Sequence, residues 1–483
     1  MICDMTRKLI VDDSLGCIRA AVLEDGTLCE IHSEKQAADD QAESLYLGRI
    51  QSIQPSLHAA FVDIGTDIHA FLPMREGMDL RCGEMIIVQG QARQSTDSKG
   101  LRITDNVNLA GKWLVLLPNG GGVHISKKIK VPALREALEA LGKEICPPDC
   151  GLIIRTAGEG VTEQLLFDEA QALYRLWLEI TARAKGRTAP GLLHQRLPLH
   201  LRLARDMGGL SEILINSESG YRQLVSMQES CALSPDTQIQ HFQETSSLIF
   251  DAYNIESRID KVLKKRVWLP CGGYLVIDHC EAMTVIDVNS GKMVLGRDLE
   301  NTALRVNLEA AQEAARQLRL RDIGGIVLID FIDMREEEHK QLIVRAMREA
   351  VLHDRTQVTV EGFTRLGLME ITRKRKHEQL RKSMRASCSY CSGVGEVLSG
   401  DEVARRALRQ VRRMILGGQR GPFVIRCGAG AAQALCGMPA PDQAEIYCLA
   451  APGHHAEKFD IEQIGSGMPP PNGACALSKG LKD

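Results

Sequence analysis

The chain of 483 residues contains no apolar run of about 18 residues or more, although 44% of its residues are hydrophobic. No membrane-spanning helix is therefore expected. The first residues, MICDMTRKLIVDD, become acidic too early for a secretory signal peptide. Charged residues make up 25% of the chain, which is ordinary for a soluble protein, and we expect a cytoplasmic one.

The sequence also lacks a surplus of positive charge. Its 59 Lys and Arg are balanced by 62 Asp and Glu, giving a formal net charge of -3. This balance argues against general attraction to nucleic acid, so RNA or DNA binding would depend on local basic patches. A disulfide framework is missing as well, because the 15 cysteines are an odd number and mostly stand alone in apolar segments.

Two short apolar runs, TVIDVNSG and GGIVLIDFIDM, each carry an acidic residue. Because side chains alternate along a strand, Asp287 and Asn289 share one face of the first run. Residues 300–320, between the runs, have apolar side chains at three- and four-residue spacing, which predicts an amphipathic helix. A strand–helix–strand crossover of this length returns to a parallel neighbour, so Asp330 should lie near Asp287.

Two carboxylates at one end of a sheet repel each other unless a cation lies between them. Aspartate oxygens suit Mg²⁺ or Mn²⁺, and Asn289 could orient a carboxylate or a bound water. Such a site could activate water against a phosphodiester. Alternatively, the acids are solvated strand ends. Asp333 is a rival to Asp330, but strand alternation places it on the opposite face.

Residues 45–110 contain five short strands separated by glycine and polar turns, which indicates a small closed barrel of the oligonucleotide-binding type. Phe61 and Phe71 could stack nucleic-acid bases there, or they could be barrel core. Basic residues accompany them: Arg49, His69, Lys99 and Arg102. The hairpin over residues 6–31 cannot be a domain alone, so it should pair with strands from later in the chain.

Two further segments could bind phosphate. The run GLIIRTAGEG ends a predicted strand on Arg155 and Thr156, which with backbone amides could hold a terminal phosphate, or it is only a turn. Residues 372–385, TRKRKHEQLRKSMR, are strongly basic and could contact the phosphates of a nucleic-acid backbone, or they form a solvated helix face. The candidates in this second segment are Arg373, Lys374, Arg375 and Lys376.

Cys388 and Cys391, in CSYCSG, have the spacing of half a tetrahedral thiolate zinc site. The sequence has no second CxxC, so the remaining ligands would come from a second copy of the chain across a symmetric interface. A redox dithiol is the alternative. Residues 398–483 then begin with a basic helix, DEVARRALRQVRRMIL.

Together these segments resemble the ribonuclease E/G family of bacterial endoribonucleases over nearly the whole chain. The most specific motifs are TVIDVNSG, NLEAAQEAARQLRLRDIGGIVLIDFIDM, GLIIRTAGEG and CSYCSG. The resemblance implies an α+β multidomain fold with an OB-fold barrel inserted in an RNase H-like subdomain. The implied order is RNase H-like residues 1–38, OB-fold barrel 39–111, 5′-phosphate sensor region 112–199, the rest of the RNase H-like subdomain 200–262, DNase I-like catalytic subdomain 263–385, zinc link 386–397 and small C-terminal domain 398–483.

The resemblance also implies roles. Asp287 and Asp330 would bind catalytic Mg²⁺ with support from Asn289. Phe61 and Phe71 would hold single-stranded RNA, while Arg155 and Thr156 would sense a 5′-monophosphate. Cys388 and Cys391 would share a structural Zn²⁺ between protomers of a homodimer or homotetramer.

The implied reaction is Mg²⁺-dependent cleavage of single-stranded RNA to 5′-phosphate and 3′-hydroxyl products. The implied tasks are 5′-end maturation of rRNA precursors and mRNA decay. A non-catalytic RNA-binding protein of the same architecture is the alternative, and a deoxyribonuclease or phosphatase is a second one.

Two features depart from the family pattern. Gln357 stands where the family has a basic residue after Asp354, with only Arg355 nearby, so a weak dependence on the terminal phosphate is expected. The chain also ends at Asp483, without the long tail of the E-type members. It therefore resembles the short G-type members, and no degradosome scaffold is expected.

Overall fold

The computed structural model describes residues 6–35, 42–75, 77–91, 101–230, 232–291, 299–375, 379–440, 444–465 and 467–477. The chain forms two compact units, Met1–Met384 and Arg385–Asp483. In these described segments, no helix combines the length and the apolar character needed to cross a membrane. The predicted α+β multidomain class is confirmed by the separate sheets and helices that follow.

The first unit begins with a meander and a barrel. The strands are β1 (Arg7–Ser14), β2 (Cys17–Glu24), β3 (Thr27–Lys35), β4 (Leu45–Gln54), β5 (Ala59–Asp63), β6 (Ala70–Pro73), β7 (Met85–Gly90) and β8 (Ile103–Thr104). The last five form a sheet in the order β6-β5-β4-β7-β8. The amide of Phe71 donates to the carbonyl of Leu101 at 2.8 Å, which joins β6 to the β8 end and nearly closes the predicted barrel.

A four-stranded sheet with two helices follows. Its elements are β9 (Leu109–Ala110), β10 (Leu114–Leu117), β11 (Val123–Ile125), α1 (Pro132–Ile145), β12 (Gly151–Ile154) and α2 (Glu163–Lys185). The strand order is β11-β12-β10-β9. Glu169 of α2 accepts hydrogen bonds from the backbone amides of Lys112, Trp113 and Leu114 at 2.6 to 2.8 Å, so its carboxylate fixes the helix to the start of β10.

The chain then returns to the amino-terminal strands. The elements are β13 (Gly191–His194), α3 (Leu199–Asp206), β14 (Leu210–Ile215), α4 (Glu218–Glu229), β15 (Gln238–His241), α5 (Ile249–Ala252) and α6 (Ile255–Val262). The sheet order is β15-β14-β1-β2-β3, with β14 parallel to β1. The prediction that the amino-terminal hairpin pairs with later strands is therefore confirmed.

A six-stranded sheet carries the acidic pair. Its elements are β16 (Arg266–Trp268), β17 (Tyr274–His279), β18 (Met283–Asn289), α7 (Leu299–Leu320), β19 (Gly325–Asp330), α8 (Glu337–Ala350), β20 (Val358–Phe363), β21 (Leu368–Arg373) and α9 (Leu380–Met384). The strand order is β16-β17-β18-β19-β21-β20. Helices α7 and α8 cover one face, where Ile286, Val327 and Ile329 are buried with Ala311 and Ile343. We call the other face of this sheet the open face.

A buried ion network joins this sheet to the amino-terminal one. Arg319 of α7 lies 2.8 Å from Glu24 and 2.9 Å from Glu30, and Arg355 lies 2.6 Å from Glu30. Burial opposes the charge of Glu30, but His32, Arg355 and Arg319 hold its pKa well below the ordinary value. Paired in this way, the charges fix the orientation of α7 against β2 and β3.

The second unit is a small α/β fold. Its elements are α10 (Gly400–Leu416), β22 (Phe423–Cys427), α11 (Ala429–Cys436), β23 (Ile446–Ala450), β24 (Phe459–Gln463) and β25 (Cys475–Ala476), with strand order β24-β22-β23-β25. The predicted basic helix is confirmed as α10. Its apolar stripe of Val403, Ala407 and Val411 is buried, so its arginines face outward.

Candidate active site

The acidic pair lies at the ends of two parallel strands. Asp287 of β18 is the direct register partner of Asp330 of β19. Both carboxylates are on the open face, whereas Val288 is buried beneath them. The side-chain amide of Asn289 donates to Asp287 Oδ2 at 2.6 Å. The predicted convergence of the two acids, with Asn289 beside them, is therefore confirmed.

The electrostatics of the pair are those of neighbouring carboxylates that repel each other. Partial burial, followed by the negative charges of Asp287 and Asp333, raises the pKa of Asp330. Among the described residues, no cationic side chain pairs with either carboxylate. A divalent cation would relieve this repulsion. Mg²⁺ commonly takes one or two carboxylates and completes its shell with water and substrate phosphate, so the donor set fits.

The prediction that strand alternation places Asp333 on the opposite face from Asp330 is wrong. Strand β19 ends at Asp330, so strand alternation does not reach three residues further. Asp333 is exposed, and its charge acts on the Asp330 carboxyl. Nevertheless, no three His, Cys, Asp or Glu side chains of the described segments form a group that could hold a metal ion. Asp287 and Asp330 are thus the two carboxylates that strand register brings together.

The two barrel phenylalanines lie side by side. Phe61 of β5 is the register partner of Phe71 of β6, and their ring centroids are 6.0 Å apart in an edge-to-face arrangement. Both rings are half-buried, while their neighbours Val62 and Leu72 fill the barrel interior. The two rings therefore lie outside the barrel core, and their role in base stacking stays a prediction. The backbone of exposed Arg102 forms an isolated parallel β-bridge with that of Phe71. Lys99 lies outside the described residues.

The proposed phosphate turn is already engaged by protein groups. Arg155 Nη1 donates to the carbonyl of Gly111 at 2.5 Å and lies 2.8 Å from Asp206 Oδ1. Burial opposes the charge of Asp206, yet the guanidinium groups of Arg205 and Arg155 lower its pKa. The Thr156 hydroxyl is 2.9 Å from that of Ser126. The Nη1 group of Arg155 is therefore already bonded within the protein, which leaves fewer donors of this side chain for a phosphate.

The same region contains a cation that the sequence reasoning did not single out. Lys128 follows Ser126 closely, and its Nζ donates to the backbone carbonyl of Arg355 at 3.4 Å. This contact brings the proposed phosphate turn next to the loop before β20. Gln357 is exposed in that loop, while the Arg355 guanidinium is paired with Glu30. The sequence alone does not show this role for Lys128, because its position beside Arg355 depends on two segments that are far apart in the chain.

The basic segment does not behave as one surface. Arg373 is 5% exposed and ends strand β21 with its side chain in the core, 2.7 Å from Asp354 and 2.6 Å from Asp322. Its prediction as an RNA contact is wrong, because these carboxylates occupy its donors. Lys374 is exposed, and exposed Arg375 donates to the carbonyl of Gly324 at 3.3 Å. Lys376 lies outside the described residues.

The CxxC motif lies at the start of the second unit. Cys388 is exposed and Cys391 is half-buried. The backbone amides of Cys391 and Tyr390, together with the Cys391 thiol, lower the pKa of Cys388. A thiol with a lowered pKa more readily forms the thiolate that zinc binds, so these two donors fit half of a zinc site.

Comparison with known proteins defines the class. The sequence model of the Ribonuclease E/G family matches residues 108–376, which include the phosphate turn, the acidic pair and strand β21. The match covers more than half of the chain. The chain therefore belongs to the ribonuclease E/G family of endoribonucleases.

Within this family the chain is similar to proteins of both types. Ribonuclease G of Escherichia coli (strain K12) is 33% identical over 488 residues, covering 95% of this chain and 99% of that protein. Ribonuclease G of Haemophilus influenzae is 34% identical over 84% of this chain and 87% of its own length. Ribonuclease E of Escherichia coli (strain K12) is 36% identical over 85% of this chain but only 41% of its own length.

Proposed function

We propose that this protein is a Mg²⁺-dependent endoribonuclease that cleaves single-stranded RNA into products with 5′-phosphate and 3′-hydroxyl ends. The observation that carries the proposal is the direct pairing of Asp287 with Asp330 on the open face of the catalytic sheet. The names of its relatives, Ribonuclease G and Ribonuclease E, support RNA cleavage as the reaction. Cytoplasmic processing of rRNA precursors at their 5′ ends and mRNA decay are the proposed tasks.

Asp287, Asp330 and Asn289 each have a definite task in this reaction. Asp287 and Asp330 would hold the cation, and the Asn289 amide, by donating to Asp287 Oδ2, fixes the carboxylate orientation. Bound Mg²⁺ lowers the pKa of water and stabilises charge on the phosphate. The carboxylates stand on rigid strand ends, so the substrate phosphate is positioned with little reorganisation.

The RNA would run from the barrel to the acidic pair. Phe61 and Phe71 offer half-buried rings for stacking, and exposed Arg102 and Lys374 offer charge for the phosphate backbone. We assign the sheet β15-β14-β1-β2-β3 to the RNase H-like subdomain and the sheet β16–β21 to the DNase I-like subdomain, on the basis of their strand order and their place in the chain.

The test of this function is cleavage of matched unstructured RNAs carrying 5′-monophosphate, 5′-triphosphate or 5′-hydroxyl ends. All three should be cut in Mg²⁺ and none in a chelator, with rates that differ by less than about tenfold, the factor equal to 1.4 kcal/mol. The small difference is expected because Arg155 is paired with Asp206 and because Gln357 carries no charge. If none of the RNAs is cut, the proposal fails.

Gln357→Arg supplies the matched variant. The new cation would lie in the loop next to Lys128 and Arg355, so cleavage of the 5′-monophosphate RNA should rise relative to the 5′-hydroxyl RNA. An unchanged ratio would show that this loop does not reach the 5′ end.

We also propose that Cys388 and Cys391 bind Zn²⁺ together with a second copy of the chain, giving a homodimer or homotetramer. Support comes from the CxxC spacing and from the lowered pKa of Cys388. Cys388→Ser should release zinc and reduce the assembly mass measured by light scattering. The control is Cys82→Ser, which removes an exposed thiol of the barrel domain and should leave zinc and mass unchanged. Retention of both by Cys388→Ser would point to the redox alternative.

A further inference from the structure

We infer that Trp268 and Tyr274, together with Arg266, form a stacking site for an unpaired RNA base next to the acidic pair. The inference rests on the proposed function, since it names a contact that the cleaved RNA would make. No role for these three residues follows from the family motifs described above.

Strand register places the aromatic pair beside the acids. Trp268 of β16 is the register partner of Tyr274 of β17, and Tyr274 is the register partner of Asn289 of β18. Directly opposite residues in antiparallel strands point to the same side of a sheet. Trp268, Tyr274, Asn289 and Asp287 therefore all lie on the open face. Adjacent strands are about 4.8 Å apart, so Trp268 lies two strand spacings, roughly 10 Å, from β18.

The contacts within the group suit a flat ligand. The rings of Trp268 and Tyr274 have centroids 5.2 Å apart and planes at 60°. The Arg266 guanidinium lies 4.4 Å from the centre of the Tyr274 ring and 5.8 Å from that of Trp268. Aromatic faces joined to an arginine are the arrangement on which single-stranded nucleic acids stack, because every base has a π face and every linkage a negative charge.

The fold itself does not require a tryptophan at this position. Trp268 is 61% exposed on the edge strand β16, whereas its neighbour Leu269 is in the core. The Trp268 side chain thus exposes apolar surface to solvent, which is unfavourable, and it does not fill the interior.

The turn between β16 and β17, the two strands that carry the aromatic pair, packs closely against the end of β18. Gly291, just beyond β18, has a φ of 64°, and an added Cβ would overlap the carbonyl oxygen of Gly272 in the β16–β17 turn. The two backbones are therefore closely packed here, and the pairing of β17 with β18 sets the position of the aromatic hairpin relative to Asp287 and Asn289. A base seated on Trp268 would be held at a constant distance from the phosphate at the acids.

The experiment uses the full chain and a short RNA with a single cleavage site. Each nucleotide flanking the site is replaced in turn by an abasic one. Wild-type protein should lose about tenfold in kcat/KM at one flanking position, the scale of one base–aromatic stack. Trp268→Ala should lose about tenfold on the intact RNA and show no further loss with the abasic nucleotide at that position. Trp268→Phe should retain most of the base dependence.

Two controls separate stacking from folding and from catalysis. Leu416→Ala truncates another exposed side chain, 78% exposed at the end of α10, and should leave the cleavage of both RNAs unchanged. The dissociation constant for the uncleaved RNA, measured with Asp330→Asn, should rise about tenfold when Trp268→Ala is added. This binding readout does not depend on turnover.

The outcomes distinguish this inference from the proposed function. If the wild type cleaves RNA but is indifferent to base removal at every flanking position, the stacking site is overturned and the nuclease stands. If the wild type cleaves no RNA, the proposed function itself fails. If Trp268→Ala instead lowers the assembly mass and leaves base dependence intact, the patch is a contact between copies of the chain and the inference is overturned.

Discussion

Replacing Asp330 by asparagine should reduce cleavage of an unstructured RNA about a thousand-fold, which corresponds to roughly 4 kcal/mol of lost transition-state stabilisation. The amide has the shape of the carboxylate but not its charge. Asp287 would then be the one carboxylate of the pair left to hold the cation, so the charge on the phosphate would be less well stabilised. RNA binding should stay within about twofold of wild type, because the barrel and the exposed cations are untouched.

The matched control is Glu370→Gln. Glu370 is exposed on β21, opposite Leu328, and so it lies on the same open face two residues from the level of Asp330. Removing this charge changes the local potential without touching the pair, so the cleavage rate should remain within about threefold of wild type. Equal cleavage by wild type and Asp330→Asn would remove Asp330 from the mechanism. Binding without cleavage by the wild type would instead favour the non-catalytic alternative.

Arg373→Gln should lower the free energy of unfolding by about 3 kcal/mol, because it leaves buried Asp354 and half-buried Asp322 without their common cation. Asp354 also accepts from the backbone amide of Thr356, so the loop before β20 would loosen as well. Denaturant titration followed by circular dichroism gives the free energy, and the midpoint should fall at an unchanged slope.

Lys374→Gln, one residue further, is the control with the opposite expectation. Lys374 is exposed, so its loss should leave the unfolding midpoint unchanged but weaken RNA binding and reduce its salt dependence by about one unit of slope. If Arg373→Gln unfolds at the wild-type midpoint while RNA affinity falls, the buried pairing is not its main role. The two variants thus divide the basic segment into a structural half and a binding half.

The acidic site could be predicted because its information is local. Alternation over TVIDVN sets which side chains share a face, and the helix between two apolar runs sets a parallel return, so Asp287 and Asp330 had to meet at one edge. Asp333 could not be placed in this way. Its position depends on where β19 ends, and the apolar run continues through Phe331 and Ile332 without any signal of that end.

Arg373 shows the limit of charge runs. The sequence of a basic segment does not show whether a guanidinium faces water or a buried carboxylate. Asp354 and Asp322, the partners of Arg373, are distant from it in sequence. The same applies to Trp268 and Tyr274. Their rings are ordinary strand residues until register sets them beside Asn289.

The sequence by itself determined the five barrel strands and the convergence of the two acids, since periods of two and 3.6 residues and short crossovers are carried by neighbouring residues. The α+β class followed from the resemblance of its motifs to a known family. Only the tertiary structure decided which cations are free, which carboxylates neutralise them and which aromatic side chains border the catalytic strands. These choices depend on pairings between segments far apart in the chain, and the energy of a charge or a ring is set by what packs against it.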